Sequence, residues 1–201
     1  MKLDVPFFAQ STPLDCGSTA LRMIFAFLGK NVPIDEINKA VGIQDGKAVS
    51  TVRLAITATN FVFRTEFFSK SLFLNEENLS LDFYKNFGDL QLAESKQLIS
   101  KALAQGVVLF ERTLSLNDIK SRLNEDCLAV VLLDWNVVLH RAKGYQGHFV
   151  PIVGFDETSL FVHNQDMSDP VPFYPIRSTV FEQARKAQGT DEDILFIAKK
   201  T

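Results

Sequence analysis

The chain has 201 residues, 46% of them hydrophobic, and a formal net charge of -3. This size and composition fit a single globular domain, residues 1–201, with enough apolar side chains for a full core. The acidic balance argues against nucleic acid or an anionic membrane surface as the main partner, and no run approaches the ~20 apolar residues of a membrane span.

The N-terminal residues, MKLDVPFFAQ, lack the long apolar stretch of a signal peptide, so we expect a cytoplasmic protein with reduced cysteines. Residues 3–9 are expected to be extended. A helix is predicted over 17–29, where Arg22 is the only charge before Lys30, as is typical of a buried helix. Periodicity and end signals predict the later helices, at 33–42, 50–60, 92–105, 116–124 and 179–188.

The strands are predicted from apolar, β-branched runs at 61–65, 107–111, 127–134, 136–140, 147–155, 159–164 and 193–198. Helices therefore come first and a mostly antiparallel sheet follows, which predicts an α+β architecture. Many of the 18 phenylalanines fall in the stretch 61–87, and residues 67–90 show no clean period. Such a stretch can line an apolar cleft or belong to the core.

Cys16 is the strongest chemical signal, because the run QSTPLDCGSTAL puts a thiol where a loop becomes the buried helix. Unpaired backbone N–H groups and the helix dipole favour an anion there, which predicts a pKa below the usual ~8.5 and a nucleophilic thiolate. The Gln10 amide and the Cys16 N–H would form an oxyanion hole. Asp15 is interpreted as a helix cap. The alternative is a buried structural cysteine, which is our interpretation of Cys127.

A nucleophilic cysteine needs a general base, and the chain has three histidines. His148 begins a predicted strand, and alternation puts it on one face with Val150 and Ile152. His140 and His163 end other predicted strands, and His163 is expected on the opposite face. A histidine at a strand end is more often structural, but these relations favour His148 as the base.

The orienting partner of His148 follows from a predicted hairpin that sets Gly154 opposite Leu160. In that register His148 lies opposite position 166, and Asn164 is one diagonal step away on the same face. Asn164 or Asp166 can therefore accept a hydrogen bond from the imidazole, and parity does not separate them. The set predicts nucleophile–base–orienter chemistry of the Cys-His-Asn/Asp kind.

These residues carry a family resemblance. QSTPLDCGSTAL, GHFVPIVGFD and LFVHNQD are similar to the Gln-Cys box, His strand and Asn/Asp strand of C39-like, papain-fold cysteine peptidases. YQGHFVPIVGFD, NQDMSDP and GTDEDILFIA, with the start DCGSTALRMIFAFLGK, resemble the guanylyl cyclase domain-containing protein 1 family, which includes plant guanylyl cyclase 1-like proteins. The likeness runs from Val5 to Ala198.

The resemblance implies a papain-like fold in which the cysteine helix packs on a C-terminal antiparallel sheet. It implies a peptidase acting on a peptide or protein substrate without a cofactor, with catalytic residues Cys16, His148 and Asn164 and Gln10 as oxyanion donor. Against the family pattern Asn164 takes the third position, ahead of Asp166. Gln165 stands where the pattern has proline.

The family name also implies conversion of GTP to cyclic GMP, which would need carboxylates that hold Mg²⁺ or Mn²⁺. The candidates are Asp156, Asp166, Asp169 and the run 191–193, all of which we interpret as turn and cap residues. No Gly-rich phosphate loop of the P-loop pattern is present in the sequence. A thiol hydrolase is therefore preferred to a cyclase, and a non-catalytic binding domain is the third alternative.

Overall fold

The computed structural model describes residues 1–44, 46–74, 76–88, 92–142 and 144–200. Its helices are α1 Cys16–Phe27, α2 Ile34–Val41, α3 Thr51–Asn60, α4 Glu76–Leu79, α5 Asp82–Phe87, α6 Leu92–Ala104, α7 Leu116–Arg122, α8 Trp135–Val138 and α9 Ser178–Arg185. Its strands are β1 Arg64–Ser69, β2 Val108–Glu111, β3 Cys127–Asp134, β4 Gly147–Phe155, β5 Ser159–Asn164, β6 Val171–Arg177 and β7 Ile194–Ala198.

The strands form one seven-stranded sheet within the described residues, in the order β2-β1-β7-β3-β4-β5-β6. The β1–β2 pair is parallel and every other pairing is antiparallel. The predicted α+β class with a mostly antiparallel sheet is confirmed. Among the described residues, no helix has both the length and the hydropathy needed to cross a membrane.

Two apolar cores cover the two faces of the sheet. Helices α1, α2, α3 and α6 pack on one face, and α7, α8 and α9 pack on the other. The central strand β3 is buried on both sides, because alternate residues such as Val130 and Val131 contribute to different cores. This burial explains the continuous apolar run in its sequence.

The hairpin of β4 and β5 determines where the histidine strand meets the asparagine strand. The predicted pair of Gly154 with Leu160 is wrong, because Phe155 lies opposite Leu160. A bulge between Ile152 and Gly154 then restores the expected register, with Ile152 opposite Val162. The N-terminal segment pairs at this bulge, where Lys2 bridges to Gly154.

Three local predictions are corrected. The predicted strand at 136–140 is the short helix α8, because the Asp134 side chain accepts from the Asn136 N–H and caps it. The predicted strand at 61–65 begins later, at Arg64, because α3 runs to Asn60. Strand β6 was not predicted at all, and the aromatic stretch contains the short helices α4 and α5.

Candidate active site

Cys16 is the first residue of α1, and its side chain is 8% exposed. The start of α1 packs closely on the rest of the core, since a Cβ added to Gly17 would lie 2.9 Å from a Val49 methyl carbon. The thiol lines a cavity of about 100 Å³. Other residues around this cavity include Thr51, Phe67, Tyr145, Phe149 and Asp193.

Burial controls the ionisation of the Cys16 thiol. The pKa is raised from the ordinary 9.0 to about 11; burial is the largest cause, and the nearby Asp15 carboxylate acts in the same direction. The backbone N–H groups of Phe149, Gly17 and Cys16 itself act in the opposite direction, because they face the sulfur and favour the thiolate. The expected lowering of this pKa at the helix start is therefore wrong, since desolvation outweighs the backbone donors.

Asp15 holds the loop before α1. It occupies the N-cap position, but contrary to the prediction its side chain makes no capping hydrogen bond to the helix. Asp15 is 1% exposed and accepts from the Ser11 N–H at 3.2 Å, the Ser11 hydroxyl at 2.7 Å and the Thr12 N–H at 3.1 Å. This loop carries Gln10, whose side-chain amide donates to the Thr12 carbonyl at 2.9 Å. One amide hydrogen of Gln10 thus remains for an oxyanion.

His148 is the second residue of β4 and is 5% exposed. Its Nε2 lies 3.3 Å from Asn164 Oδ1, and its ring meets the Trp135 ring edge-on with centroids 4.8 Å apart. Burial lowers the pKa of His148 from 6.5 to about 4, although nearby Asp166 and the Asn164 hydrogen bond favour the charged form. His148 is therefore a neutral imidazole at pH 7.

The surroundings of Asn164 fix its amide and the tautomer of His148. The Asn164 Nδ2 donates to the Asp169 carbonyl at 2.7 Å, and its Oδ1 accepts from the Asp166 N–H at 3.2 Å. With Oδ1 as acceptor, the Nε2 of His148 must carry the hydrogen and Nδ1 is the basic nitrogen. The structure therefore brings His148 to Asn164, the residue that the resemblance put first.

Asp166 stabilises the turn that follows β5 and does not contact His148 directly. Its Oδ1 accepts from the Ser168 N–H and hydroxyl at 2.7 and 2.6 Å. Although burial raises its pKa, these bonds and nearby His148 leave the value below the ordinary one. Asp166 thus contributes to the charge around His148 while Asn164 makes the direct contact.

His163 has a structural role on the opposite side of β5 from Asn164, as expected. Its Nε2 donates to the Val5 carbonyl at 2.9 Å, and its Nδ1 accepts from the Phe173 N–H at 3.1 Å. These two contacts require the neutral ring, and burial lowers its pKa. His140 follows α8 in a left-handed conformation with φ of 53°.

Sequence reasoning missed the contacts of Gln165. This side chain is fully buried, and its Nε2 donates to the Cys16 carbonyl at 3.0 Å and to the Phe149 carbonyl at 2.5 Å. Its main-chain carbonyl accepts from the Gln10 N–H at 2.9 Å. The departure from proline at this position was the only available signal.

The turn interpretation is confirmed for Asp156 and Asp166, whereas Asp191 and Asp193 bond to residues distant in sequence. Asp156 accepts from Thr158 and Ser159 in the β4–β5 turn. Within the 191–193 run, the partner of Asp191 is the Asn78 amide, that of Glu192 is the buried Arg185, and that of Asp193 is the Thr51 hydroxyl. No group of three or more His, Cys, Asp or Glu residues suited to a metal occurs in the described chain.

Cys127, interpreted as a core thiol, is partly exposed at the start of β3, and burial raises its pKa to about 11. Cys16 and Cys127 are both free. The two thiols differ in their surroundings, because backbone N–H groups act on the pKa of Cys16 and charged side chains act on that of Cys127.

Comparison with known proteins gives two sets of similarities. A family model described as guanylylate cyclase matches residues 5–197. Guanylyl cyclase 1 of Arabidopsis thaliana is 26% identical over 209 residues, which cover 97% of this chain and 76% of that protein.

Among solved structures, a protein of Bacillus anthracis described as a C39-like peptidase is 14% identical, with a TM-score of 0.58 over 100% of this chain and 99% of that one. The peptidase domain of Streptococcus ComA, a bifunctional ABC transporter, is also 14% identical, with a TM-score of 0.53 over 96% of each chain. A double glycine motif protease from an AMS/PCAT transporter has a TM-score of 0.54 at 14% identity, over 99% of this chain and 94% of that one. These likenesses establish the papain-like fold of C39-like peptidases.

Proposed function

This chain belongs to the guanylylate cyclase family and has the papain-like fold of C39-like peptidases, and from these premises we propose that it is a cysteine hydrolase acting on peptides or proteins. The observation that carries the proposal is the junction of α1 with the start of β4. There the Cys16 sulfur faces the N–H of Phe149, while the neighbouring His148 is held by Asn164 and packs on Trp135. No described contact joins Cys16 to His148, so the reaction requires the imidazole to turn toward the thiol at the start of β4.

In the proposed reaction the neutral His148 acts as a general base through Nδ1. It takes the Cys16 proton as the sulfur attacks the acyl carbon, and the oxyanion accepts from the Cys16 N–H and the remaining Gln10 N–H. The imidazolium then gives its proton to the leaving amine, which leaves a thioester on Cys16. Water, deprotonated by His148, cleaves the thioester and restores the thiol.

A concerted proton transfer fits the resting ionisation states better than a preformed ion pair. With pKa values of about 11 for Cys16 and about 4 for His148, the neutral thiol and neutral imidazole dominate near pH 7. Asn164 holds the ring in the tautomer that leaves Nδ1 basic. A neutral imidazole is the correct form for a general base.

The lining of the Cys16 cavity disfavours the cyclase alternative. Two carboxylates, Asp191 and Asp193, line it, and the described lining includes no lysine or arginine. These two carboxylates are bonded to Asn78 and Thr51, and the described residues contain no group of three or more side chains suited to a metal ion. A guanosine triphosphate would therefore meet negative charge without a compensating cation. We also propose a cytoplasmic, reducing setting, which agrees with the free thiols of Cys16 and Cys127.

The test is cleavage of a proteome-derived peptide mixture, with new termini identified by mass spectrometry. Cys16→Ala and His148→Ala should each reduce cleavage by at least ~1,000-fold. The matched control is Cys127→Ala, which removes the other cysteine and should cleave as the natural chain does. Cyclic GMP formation from GTP with Mg²⁺ or Mn²⁺ is measured on the same samples.

Two results would refute the hydrolase. Cyclic GMP formation that persists in Cys16→Ala would assign the cyclase reaction. Absence of both products, with peptides retained on the folded protein equally by Cys16→Ala and the natural chain, would assign a non-catalytic binding domain.

A further inference from the structure

Gln165 contacts the candidate site at three points. Its Nε2 donates to the carbonyl of Cys16 at 3.0 Å and to the carbonyl of Phe149 at 2.5 Å. Its own carbonyl accepts from the N–H of Gln10 at 2.9 Å. Gln165 directly follows Asn164 at the end of β5. It therefore connects this strand end to the start of α1, to β4 and to the loop that carries Gln10.

The side-chain chemistry of position 165 is narrowly constrained. Two carbonyl oxygens converge on it, so the group between them must offer two N–H donors and no lone pair. A primary amide does this without adding a charge. The cost is visible at the other end of the side chain, where Oε1 is buried without a hydrogen-bond partner. A buried polar group that is left unsatisfied is unfavourable, and the two bonds that the Gln165 amide donates offset this cost.

These contacts lead to a role at the thiol. The Cys16 and Phe149 carbonyls are held by one nitrogen, and the same two residues meet again where the Phe149 N–H faces the Cys16 sulfur. Two sets of contacts thus hold α1 to β4 near the sulfur, namely the Gln165 bonds to the two carbonyls and the contact of the Phe149 N–H with the sulfur.

We propose that Gln165 is a positioning residue that clamps the start of α1 to β4 and thereby holds the Cys16 thiol at the amide of Phe149, the residue that follows His148 in the strand. Its consequence for catalysis rests on the proposed hydrolase function, whereas its effect on the thiol does not.

The test measures the alkylation rate of Cys16 by iodoacetamide in the full chain between pH 6 and pH 9, with mass spectrometry of the labelled peptides. Gln165→Met keeps the length of the side chain and removes both donors, while the Gln10–Gln165 main-chain bond stays. Water should then enter between the two carbonyls and solvate the thiol. We expect Cys16 to react at least ~10-fold faster at pH 7, with Cys127 in the same molecules unchanged.

Gln165→Glu should make the alkylation rate of Cys16 depend on pH in a way that a purely structural loss would not. The buried acid can donate one bond when protonated, but its carboxylate repels both carbonyls. The Cys16 rate relative to the natural chain should therefore be near one at pH 6 and rise at least ~10-fold by pH 9. Thr65→Val is the matched control, because it removes the hydroxyl contact of buried Thr65 in β1 with Thr59 of α3. Neither residue lines the Cys16 cavity, so the Cys16 rate should be unchanged.

A Cys16 rate within twofold of the natural chain in Gln165→Met, or a pH-independent ratio in Gln165→Glu, overturns the clamp. If Gln165→Met does not fold, the Gln165→Glu profile alone decides. Peptide cleavage by the same variants separates the two proposals. Faster Cys16 alkylation in a chain that never cleaves peptides supports the clamp and refutes the hydrolase, whereas cleavage with unchanged alkylation does the reverse.

Discussion

The ionisation of Cys16 gives the sharpest quantitative prediction. In the folded chain its pKa is about 11, compared with an ordinary value of 9.0, and burial is the main cause. At pH 7 this difference leaves a roughly 100-fold smaller fraction of thiolate than in an unfolded chain. A more basic thiolate is also a better nucleophile, which returns about one order of magnitude. We therefore expect alkylation at least ~10-fold slower in the folded state.

The assay compares iodoacetamide modification of Cys16 in buffer at pH 7 with the same reaction in concentrated urea. Extending the buffer series to pH 11 should show the rate still rising above pH 9, because the folded thiol has not finished ionising. Cys127 supplies a second thiol with a pKa of about 11 in each sample. A Cys16 rate in buffer that equals or exceeds the urea rate, or that levels off below pH 8, would refute the reasoning and restore the activated thiolate expected from the sequence.

Three further predictions concern stability and the orienting amide. The pKa of His148 falls from 6.5 to about 4 on folding, so the stability that this shift contributes is complete above pH 6.5 and is lost as the pH falls through about 4. Buried Asp193, with a pKa raised to about 7, acts in the opposite direction over this range, so the test is the urea midpoint of the natural chain minus that of His148→Gln. This difference should decrease between pH 6.5 and pH 4, and a flat difference contradicts the prediction. Asn164→Ala should reduce kcat for peptide cleavage at least ~10-fold with little change in KM, because His148 loses its tautomer control; unchanged kinetics would remove Asn164 from the site. Arg185→Met should cost about 3–5 kcal/mol of unfolding free energy, because it removes a fully buried guanidinium from Glu192 and leaves Glu182 with only the exposed Lys186. Lys199→Met at an exposed pair should cost less than ~1 kcal/mol. Equal losses in the two variants would contradict the buried network.

Much of the architecture follows from local pattern. The all-round apolar run after Cys16 predicts a buried helix, and α1 is buried from Cys16 to Leu21. The run CLAVVLLD predicts a strand covered on both faces, and β3 has that burial. The helix predicted at 116–124 begins with a capping box, in which Ser115 and Asp118 form reciprocal hydrogen bonds. In each case the decisive interaction lies within a few residues of the signal.

The misses have physical causes that lie outside the local window. The sequence of α8 consists largely of good strand formers, but the carboxylate of Asp134 caps it and so stabilises a helical turn. Strand β6 contains Pro172 and Pro175, which weaken a strand pattern. It lies at the edge of the sheet, where two missing donors can be tolerated.

One predicted contact of the site is present, and the other is not. The ring of His148 packs on Trp135, in the core opposite to the one that contains Cys16, and no described contact joins the two predicted catalytic residues. The pairing of His148 with Asn164 followed from alternation, strand register and resemblance, and the contact is present. The sign of the Cys16 pKa shift was wrong, because the helix-start argument counts nearby backbone donors and omits desolvation. That desolvation comes from side chains distant in sequence, such as Phe67 and Tyr145, which surround the same cavity.

Desolvation links the two halves of the site. It raises the pKa of Cys16 and lowers that of His148, so both effects favour the neutral pair. Two contacts in the fold act against desolvation. The Phe149 N–H at the sulfur lowers the pKa of Cys16, and the Asn164 hydrogen bond raises the pKa of His148. Solvation of the cavity can change when a substrate enters, whereas these donors remain in place. The readiness of Cys16 to lose its proton therefore depends on the packing that closes the cavity as much as on the identity of the base. The proposed clamp by Gln165 acts on that packing where the start of α1 meets β4.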